Sequence, residues 1–450
     1  MTYHNAQKFI NSAPIYNEEN YSLDRISYLS YLLGAPNKNL NYIRLAGSNG
    51  KTICSSLLSS VLVEAGYKVC TINMSHLSDV TDNIRLNTLP LSIEDFTHTV
   101  QKVVSACTDM RKNIEEAKLS AILEGENFSQ SDIPNALLSE DAELAPTRAE
   151  ILLLAALCIY KEKECDLCII ESVHNDVDPS LFLKLPITAV ICGAIPNSDK
   201  EQINRIKTYI RRGLGEVVSA PQNSLAYKTI ADSCAAINCR LTIPARSSLT
   251  IKQLSLIGTG FLYNGESYRL GLCGRFQTTN AITVIETLKV LRRHGYKISP
   301  AAEKDGLAKV KIKSKFEVLS VNPTIIADST YKQEAVETVC ESLFDFSEIT
   351  GRQLQLMLPA DINLIKKYIK MLRDRGYNIS CIYTLCENDE ESSAIVSELP
   401  DDIALMSFKT PKAALRYILP TLSSDALWLI SGRYSFTSRI RLEIMRALEF

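Results

Sequence analysis

The amino-acid sequence carries no excess of charge of either sign. Its 49 lysine and arginine residues nearly balance 51 aspartate and glutamate residues, and the formal net charge is -2. Domains that bind nucleic acid usually have a strongly basic surface, so this balance argues against a nucleic-acid partner. Any phosphate-bearing ligand must instead be bound by a small local group of residues.

Long hydrophobic runs are missing as well. No stretch reaches the roughly 18 apolar residues that a membrane-spanning helix requires. The first residues, Met1 to Asn5, lack the basic segment and apolar run of a secretory signal. We therefore expect no membrane association and a cytoplasmic location.

Cysteine pairs at metal-binding spacing are scarce, although the chain contains 13 cysteines. A single C-x-x-C pair occurs, formed by Cys165 and Cys168, and no second Cys or His pair follows it at zinc spacing. Other cysteines stand in apolar runs such as residues 190–192, where a thiol acts as a small hydrophobic group. The sequence thus favours structural cysteines over a metal or redox site.

The chain does contain enough apolar residues for more than one hydrophobic core. It has 450 residues, of which 46% are hydrophobic, and at roughly 100–200 residues per domain it predicts two or three domains. A helical pattern over residues 279–294 ends at Gly295, and residues 296–300 are typical of a linker. We place a boundary there, with one domain over residues 1–297 and a smaller one over residues 298–450.

Strand and helix patterns alternate through the first domain. An apolar run at 42–46 precedes a glycine-rich turn, a helical pattern at 55–65 and a strand pattern at 68–72. The alternation recurs downstream in a helical pattern at 150–161 and strand patterns at 167–170 and 188–192. Such alternation predicts an α/β fold with a parallel sheet covered by helices.

The remaining segments predict a surface insertion and a second α/β domain. Residues 110–145 are polar and are expected to form a loop-rich insertion. Strand patterns in the second half lie at 324–327, 355–358, 379–383 and 426–430. Helical patterns such as 362–375 separate them, which again favours an α/β arrangement.

A glycine-rich segment lies between the first strand pattern and the helix after it. It consists of Gly47, Ser48, Asn49, Gly50, Lys51 and Thr52. Glycines let the backbone approach an anion closely, and a helix N-terminus offers unpaired N–H groups. In such a loop, Lys51 would reach the terminal phosphates of a nucleotide and Thr52 would bind Mg²⁺. The segment predicts a phosphate-binding loop.

This loop is shorter than the common G-x-x-x-x-G-K-[ST] pattern, because Leu45 stands where the first glycine would fall. The alternative interpretation is a tight turn that merely caps a helix. The strand-to-helix context and the Gly-Lys-Thr run favour the phosphate loop.

The shorter loop resembles that of folylpolyglutamate synthases and muramyl peptide ligases, and the resemblance extends along the chain. Similar segments are Ser22–Ile26, Leu32–Gly34, Glu64–Val69, Ser75–Leu77, Asn83–Asn87, Gly274–Ala281, Gly306–Val310, Phe316–Leu319, Ala327–Asp328 and Leu429–Tyr434. The chain resembles a divergent member of the folylpolyglutamate synthase/dihydrofolate synthase family, within the Mur ligase superfamily. That resemblance implies a P-loop-containing parallel-sheet ATPase domain, which is Mur ligase-like, followed by a smaller Rossmann-like α/β domain.

The resemblance also implies an activity. ATP would transfer its γ-phosphate to the γ-carboxylate of a folate, and the amine of glutamate would then displace the phosphate. The implied cofactors are ATP and Mg²⁺, the implied substrates are folate and glutamate, and the implied oligomeric state is a monomer. Lys51 would be a catalytic residue, because neutralising charge dominates phosphoryl transfer.

Further site residues follow from matching positions of this sequence to the family's motifs. The matches are Asn280 for adenine, Asp328 for ribose, Lys315 for phosphate in place of an arginine, Glu171 and Ser75 beside Thr52 for Mg²⁺, and Lys207 for a modified catalytic lysine. Glu171 alternatively reads as a solvated carboxylate at a strand end, and Lys207 as part of a solvated helix face.

Departures from the family pattern concentrate at the chemistry. Met74 replaces a Mg²⁺-binding serine, so Ser75 would have to take its place. A glycine-rich stretch after Glu171 becomes Ser172–Asp178, in which His174 or Asp176 is either a new ligand or part of a polar loop. Residues 192–198 replace an Asp-His pair, which removes a second metal ligand.

Three hypotheses therefore remain open. The first is a divergent folate–glutamate ligase, and the second is a ligase of the same mechanism with another acid and amine. The third is a non-catalytic ATP-binding paralogue that regulates or scaffolds a partner. Lys51, Thr52 and Glu171 favour the first two, whereas the replaced histidine and glycines favour the third.

Overall fold

The computed structural model describes residues 1–16, 21–74, 79–124, 132–173, 177–329, 333–346, 349 and 351–448. Contacts divide the chain into two units, each built from two separate stretches of sequence. The first unit comprises Met1–Ala245 and Asn280–Gly306, and the second comprises Arg246–Thr279 and Leu307–Phe450. The expected boundary between residues 297 and 298 lies inside the second stretch of the first unit, and its role as a domain boundary stays a prediction.

The first unit alternates strands and helices along most of its length. Its elements are α1 (Tyr3–Asn11), α2 (Leu23–Leu32), β1 (Tyr42–Ala46), α3 (Lys51–Glu64), β2 (Val69–Asn73), β3 (Ile84–Leu86), β4 (Leu89–Pro90), α4 (Ile93–Glu124), α5 (Asn135–Leu138), α6 (Arg148–Glu162), β5 (Leu167–Glu171), β6 (Thr188–Ile191), α7 (Lys200–Tyr209), β7 (Glu216–Ser219), α8 (Ser224–Ala236) and β8 (Arg240–Thr242). Two more helices, α9 (Phe276–Arg293) and α10 (Pro300–Lys309), each contain residues of both units.

An eight-stranded sheet forms the centre of this unit, in the order β4-β3-β2-β5-β1-β6-β7-β8. Strands β2, β5, β1, β6, β7 and β8 pair in parallel, and β3 and β4 add an antiparallel edge. Every residue of β1, β5 and β6 is buried, as expected for parallel strands covered on both faces. The loops at the carboxyl ends of these strands therefore meet at one edge of the sheet.

Helices α4 and α6 pack on each other beside this sheet. Helix α6 begins with a capping box, in which Thr147 accepts from the backbone of Glu150 and Glu150 accepts from the backbone of Thr147. The expectation of a loop-rich insertion is wrong for residues 110–124, because α4 continues through them. Buried Met110, Ile114 and Ala117 recur at helical spacing and explain the longer helix.

The second unit contains a hairpin-rich part followed by a mostly parallel sheet. Its elements are β9 (Leu249–Ser255), β10 (Gly258–Tyr263), β11 (Glu266–Leu270), β12 (Glu317–Val321), β13 (Thr324–Asp328), α11 (Gln333–Phe344), β14 (Leu354–Met357), α12 (Ile362–Arg373), β15 (Ile379–Leu385), α13 (Asp389–Val396), β16 (Ala404–Phe408), α14 (Pro411–Thr421), β17 (Leu427–Ser431) and α15 (Tyr434–Leu448).

The larger sheet of this unit has the order β12-β13-β17-β14-β15-β16, and only the β12–β13 pairing is antiparallel. Strands β9, β10 and β11 form a separate antiparallel sheet that the sequence patterns did not predict. The α/β fold class, with a large parallel sheet and a smaller second α/β unit, is confirmed. Within the described residues, no helix is long and apolar enough to cross a membrane.

Candidate nucleotide and metal site

The glycine-rich segment lies at the carboxyl end of a central strand. Strand β1 pairs with β5 on one side and β6 on the other, and residues 47–50 connect it to helix α3, which begins at Lys51. Ligands of open parallel sheets gather at this edge, outside the carboxyl ends of the strands. The segment therefore has the strand–loop–helix arrangement that a phosphate-binding loop needs.

Close backbone contacts explain why glycines stand in this loop. Gly47 and Gly50 have φ angles of 118° and 80°. A Cβ atom at Gly47 would lie 2.3 Å from the carbonyl oxygen of Cys192, and one at Gly50 would lie 2.7 Å from Oδ1 of Asn280. A Cβ atom at Gly193 would likewise lie 2.8 Å from the carbonyl oxygen of Asn49. Larger residues would push the loop away from its neighbours.

Lys51 and Ser48 are fixed by polar contacts within the first unit. The Nζ atom of Lys51 donates to the carbonyl oxygen of Gly47 over 2.6 Å, and the side chain is only 9% exposed. The hydroxyl of Ser48 donates to Asp199 over 3.1 Å. Asp199 also caps α7 by accepting from the backbone of Gln202. A cation thus lies beside the loop, and helix α7 is linked to it.

Thr52 and Glu171 form an oxygen-rich pair next to the loop. The hydroxyl of Thr52 donates to Oε2 of Glu171 over 2.9 Å, and the side-chain amide of Asn73 donates to Thr52 over 3.3 Å. Burial raises the pKa of Glu171 above its usual value, and the hydroxyl of Thr52 and the charge of Lys51 oppose that rise. A nearby cation stabilises the ionised form of a buried carboxylate of this kind.

The donor set of this pair suits a hard cation. Hydroxyl and carboxylate oxygens are the ligands that Mg²⁺ prefers, and Mg²⁺ usually takes its remaining ligands from phosphates and water. The part of the chain that the structure describes contains no cluster of three or more His, Cys, Asp or Glu residues suited to a metal. Thr52 and Glu171 therefore fit a nucleotide-bound Mg²⁺ better than a metal held by protein alone.

Asn280 is brought to the loop by helix α9. The Oδ1 atom of Asn280 lies 3.9 Å from the Sγ atom of Cys54. The same Oδ1 atom would be the nearest neighbour of a Cβ placed on Gly50. The side chain is 6% exposed. The structure thus places Asn280 beside the phosphate-loop residues within the first unit.

Lys315 and Asp328 lie together in the second unit. The backbone N–H of Phe316 donates to Oδ2 of Asp328 over 2.7 Å, so the residue after Lys315 is held against the end of β13. Ser314 and Phe316, on either side of Lys315, have φ angles of 54° and 52°. This turn leaves the side chain of Lys315 half-buried next to the strand end.

The last candidates from the sequence are less closely tied to the loop. Lys207 is exposed on the final turn of α7, whereas the loop contact of that helix is made by Asp199 at its first turn. Ser75, His174 and Asp176 lie outside the described residues.

Sequence reasoning missed two residues of the site. Asp199 contacts Ser48, and Asn73 contacts Thr52. An Asp followed by Gln three positions later is a helix-start signal that could have drawn attention to Asp199. Asn73 ends strand β2, but nothing in its local sequence distinguishes it from an ordinary strand-end amide.

Comparison with known proteins identifies similar chains along almost the whole sequence. No family model matches the chain. A dihydrofolate synthase/folylpolyglutamate synthase of Bacillus subtilis is 23% identical over 451 aligned residues, covering 93% of this chain and 94% of the relative.

Solved structures give the same fold. A folylpolyglutamate synthase of Thermotoga maritima superposes with a TM-score of 0.77 at 18% identity, covering 99% of this chain and 96% of that one. A Mycobacterium tuberculosis folylpolyglutamate synthase, complexed with ADP and AMPPCP, superposes with a TM-score of 0.75 at 15% identity, covering 98% and 97% of the two chains.

Proposed function

Because the chain is a divergent relative of the dihydrofolate synthase/folylpolyglutamate synthase proteins over 93% of its length, we propose that it is an ATP-dependent ligase. Its reaction joins L-glutamate to the γ-carboxylate of a folate. The observation that carries the proposal is the glycine loop at the carboxyl end of β1, with Lys51 and the Thr52–Glu171 pair beside it.

Phosphate binding follows from the geometry of the loop. The first turn of α3 carries backbone N–H groups that have no partner within the helix, and Gly50 has no side chain to cap them. These groups and the positive end of the helix dipole favour the phosphates of ATP. Lys51 would leave the carbonyl oxygen of Gly47 to meet the charge that develops on the transferred phosphoryl group.

Mg²⁺ is the cation that we assign to the Thr52–Glu171 pair, with Ser75 as a further ligand. When bound, it supplies neutralisation of phosphate charge. Glu171 would contribute its negative charge and Thr52 a hydroxyl oxygen. The amide of Asn73 and the burial of Glu171 keep both ligands in place.

Three further residues are assigned to the nucleotide. We assign Asn280 to the adenine, Asp328 to the ribose hydroxyls and Lys315 to a phosphate. The backbone N–H of Phe316 donates to Asp328 and so holds the residue after Lys315 at this carboxylate. This contact supports the assignment of Lys315 and Asp328 to the same nucleotide. We assign Lys207, which is exposed on the last turn of α7, as a second catalytic residue.

The reaction has two balanced steps. A carboxylate oxygen of the folate tail attacks the γ-phosphorus of ATP, and the bond to ADP breaks, which gives an acyl phosphate. The amine of glutamate then attacks the acyl carbon and loses a proton, and inorganic phosphate leaves. We place this chemistry in the cytoplasm, carried out by a monomer on small molecules, with no nucleic-acid or membrane partner.

One observation favours a second candidate, a non-catalytic ATP-binding paralogue. Met74 is buried in the core after β2 with 4% exposure, so a thioether rather than an oxygen occupies this position at the sheet edge. Residues 192–198 provide Gly193, which packs on the loop, and no carboxylate or imidazole before Asp199.

A ligase with another acid and amine is the third candidate, because the same loop serves any acyl phosphate chemistry.

The deciding experiment measures ATP binding and turnover side by side. Titration calorimetry with ATP and Mg²⁺ is paired with phosphate release in the presence of tetrahydrofolate and glutamate. Lys51→Ala is the test variant, and Lys228→Ala, at an exposed position on α8, is the matched control.

Phosphate release that requires both substrates and is lost only in Lys51→Ala supports the folate ligase. ATP binding without release under any folate and glutamate condition contradicts it and favours one of the alternatives. Absence of ATP binding contradicts all three candidates.

A further inference from the structure

A buried arginine, Arg148, has no carboxylate partner among the described residues and is linked by hydrogen bonds to the glycine loop. Arg148 is the first residue of α6, and its side chain is 8% exposed. Its Nη1 atom donates to Oδ1 of Asn11 over 2.8 Å, and its Nη2 atom donates to Oδ1 of Asn83 over 3.1 Å. Both acceptors are neutral amides, so they satisfy hydrogen bonds without neutralising the positive charge.

Nearby carboxylates are engaged with other cations. Glu150, the acidic residue in the first turn of α6, accepts from Arg25 over 2.9 Å. Asp82 lies 3.7 Å from Arg85. Among the described residues, no carboxylate forms an ion pair with Arg148, and its buried Nε–H has no hydrogen-bond acceptor. Burial accordingly lowers the pKa of Arg148.

This position is electrostatically unfavourable for a cation. The N-terminus of a helix carries a partial positive charge, which repels a guanidinium on its first residue. Burial adds a desolvation cost that an ion pair would normally offset. A guanidinium has five N–H donors, and side chains of the described residues accept from two of them here. The remaining donors match the fork geometry that binds a carboxylate.

Hydrogen bonds connect this arginine to the phosphate loop. Asn83, which accepts from Arg148, donates through its Nδ2 atom to the carbonyl oxygen of Asn73. Asn73 in turn donates to Thr52, the hydroxyl partner of Glu171. The N-terminus of α6 therefore lies at the same sheet edge as the loop, where an acidic substrate of the reaction must come.

We propose that Arg148 binds a carboxylate group of the acidic substrate, with Asn83 and Asn11 holding the guanidinium in place. The identity of that substrate as a folate or glutamate rests on the proposed function, whereas the anion site itself does not. Bound carboxylate would accept from the unused N–H donors and neutralise the buried charge. The exposed position of Asn11 indicates the side from which the anion enters.

Thermal melting with carboxylate probes tests the site directly. Sodium L-glutamate, sodium succinate and tetrahydrofolate are each compared with sodium chloride at equal ionic strength. The variants are Arg148→Gln, Arg148→Lys and the control Arg111→Gln, at an exposed position on α4. At least one carboxylate is expected to raise the melting temperature of the wild type and of Arg111→Gln more than that of Arg148→Gln.

Affinity and basal stability then separate a binding role from a structural one. The dissociation constant of the carboxylate that binds should rise about tenfold or more in Arg148→Gln, and its value in Arg148→Lys should lie between those of Arg148→Gln and the wild type. The affinity for ATP should not change. Arg148→Met should melt at the same or a higher temperature than the wild type without ligand, because it removes a buried unpaired charge.

Two results would overturn the proposal. One is equal stabilisation of wild type and Arg148→Gln by every carboxylate in the panel. The other is a lower melting temperature of Arg148→Met with undiminished carboxylate affinity, which would make Arg148 a structural cation. If the wild type binds the carboxylate but releases no phosphate, the result would contradict the proposed ligase function and leave the anion site standing.

Discussion

Each unit of the protein places a buried carboxylate at the end of a parallel strand, and the surroundings of the two carboxylates differ. Glu171 ends β5 and faces the hydroxyl of Thr52 and the charge of Lys51. Asp328 ends β13 and accepts from the backbone N–H of Phe316. The first carboxylate accepts from a side-chain hydroxyl, and the second holds a turn through a backbone N–H. Position at the sheet edge alone therefore does not decide the role of a carboxylate.

The largest effect that we expect comes from neutralising the first of these carboxylates. Glu171→Gln keeps the volume and a hydrogen-bond acceptor for Thr52 but removes the charge that a cation needs. We expect the rate of phosphate release to fall at least about 100-fold. The melting temperature should not fall, because the wild-type carboxylate is buried and has a raised pKa.

Phosphate-release kinetics over a range of Mg²⁺ concentrations measure this effect. Glu115→Gln, at an exposed position on α4, is the matched control and should behave as the wild type. Wild-type turnover in Glu171→Gln would remove Glu171 from the metal site and make it a structural carboxylate.

The glycine loop is the second feature that distinguishes the edge of the first sheet. Two glycines with similar positive φ angles, one inside the loop and one outside it, test its role. Gly50 and Gly66 have φ angles of 80° and 90°, but only a Cβ on Gly50 would meet a close neighbour. Alanine at Gly66 should cost about 1 kcal/mol of folding free energy, and alanine at Gly50 should cost at least as much. Only Gly50→Ala should also weaken ATP binding, by about tenfold, the equivalent of one hydrogen bond.

Denaturant unfolding and ATP titration of both variants measure these effects. Gly66→Ala is the control for backbone strain, because a Cβ there meets nothing within 4 Å. Equal ATP affinity in the two variants would show that the close approach of Asn280 to the loop is unimportant for nucleotide binding.

The smallest effect on the reaction is expected at Asp328, where the carboxylate mainly fixes a turn. Asp328→Asn keeps an acceptor for the N–H of Phe316, so stability should be nearly unchanged and the KM for ATP should rise about threefold. Asp328→Ala leaves that buried N–H without its acceptor and should cost about 1–3 kcal/mol of unfolding free energy. A loss of stability in Asp328→Asn as large as in Asp328→Ala would contradict this assignment.

The fold class was predictable because local patterns carry it. Buried parallel strands such as 167–170 and 188–192 are continuous apolar runs, and helices between them show helical periodicity. The antiparallel strands β9, β10 and β11 were not predicted, since glycine and polar residues interrupt their apolar residues. The polar composition of residues 110–124 likewise concealed the apolar face of α4, because exposed charges outnumber the few buried residues.

The sequence by itself determined the strand–loop–helix placement of the glycine-rich segment, because glycine spacing, a lysine and a helix start are all local. It also determined Glu171 as a strand-end carboxylate. Only the tertiary structure decided which side chains meet there. Asn73, Asp199 and Asn280 reach the loop from three different elements, and Arg148 is connected to it through Asn83. Contacts of this kind join residues far apart in sequence, so pairing of strands and packing of helices must be known before they can be seen.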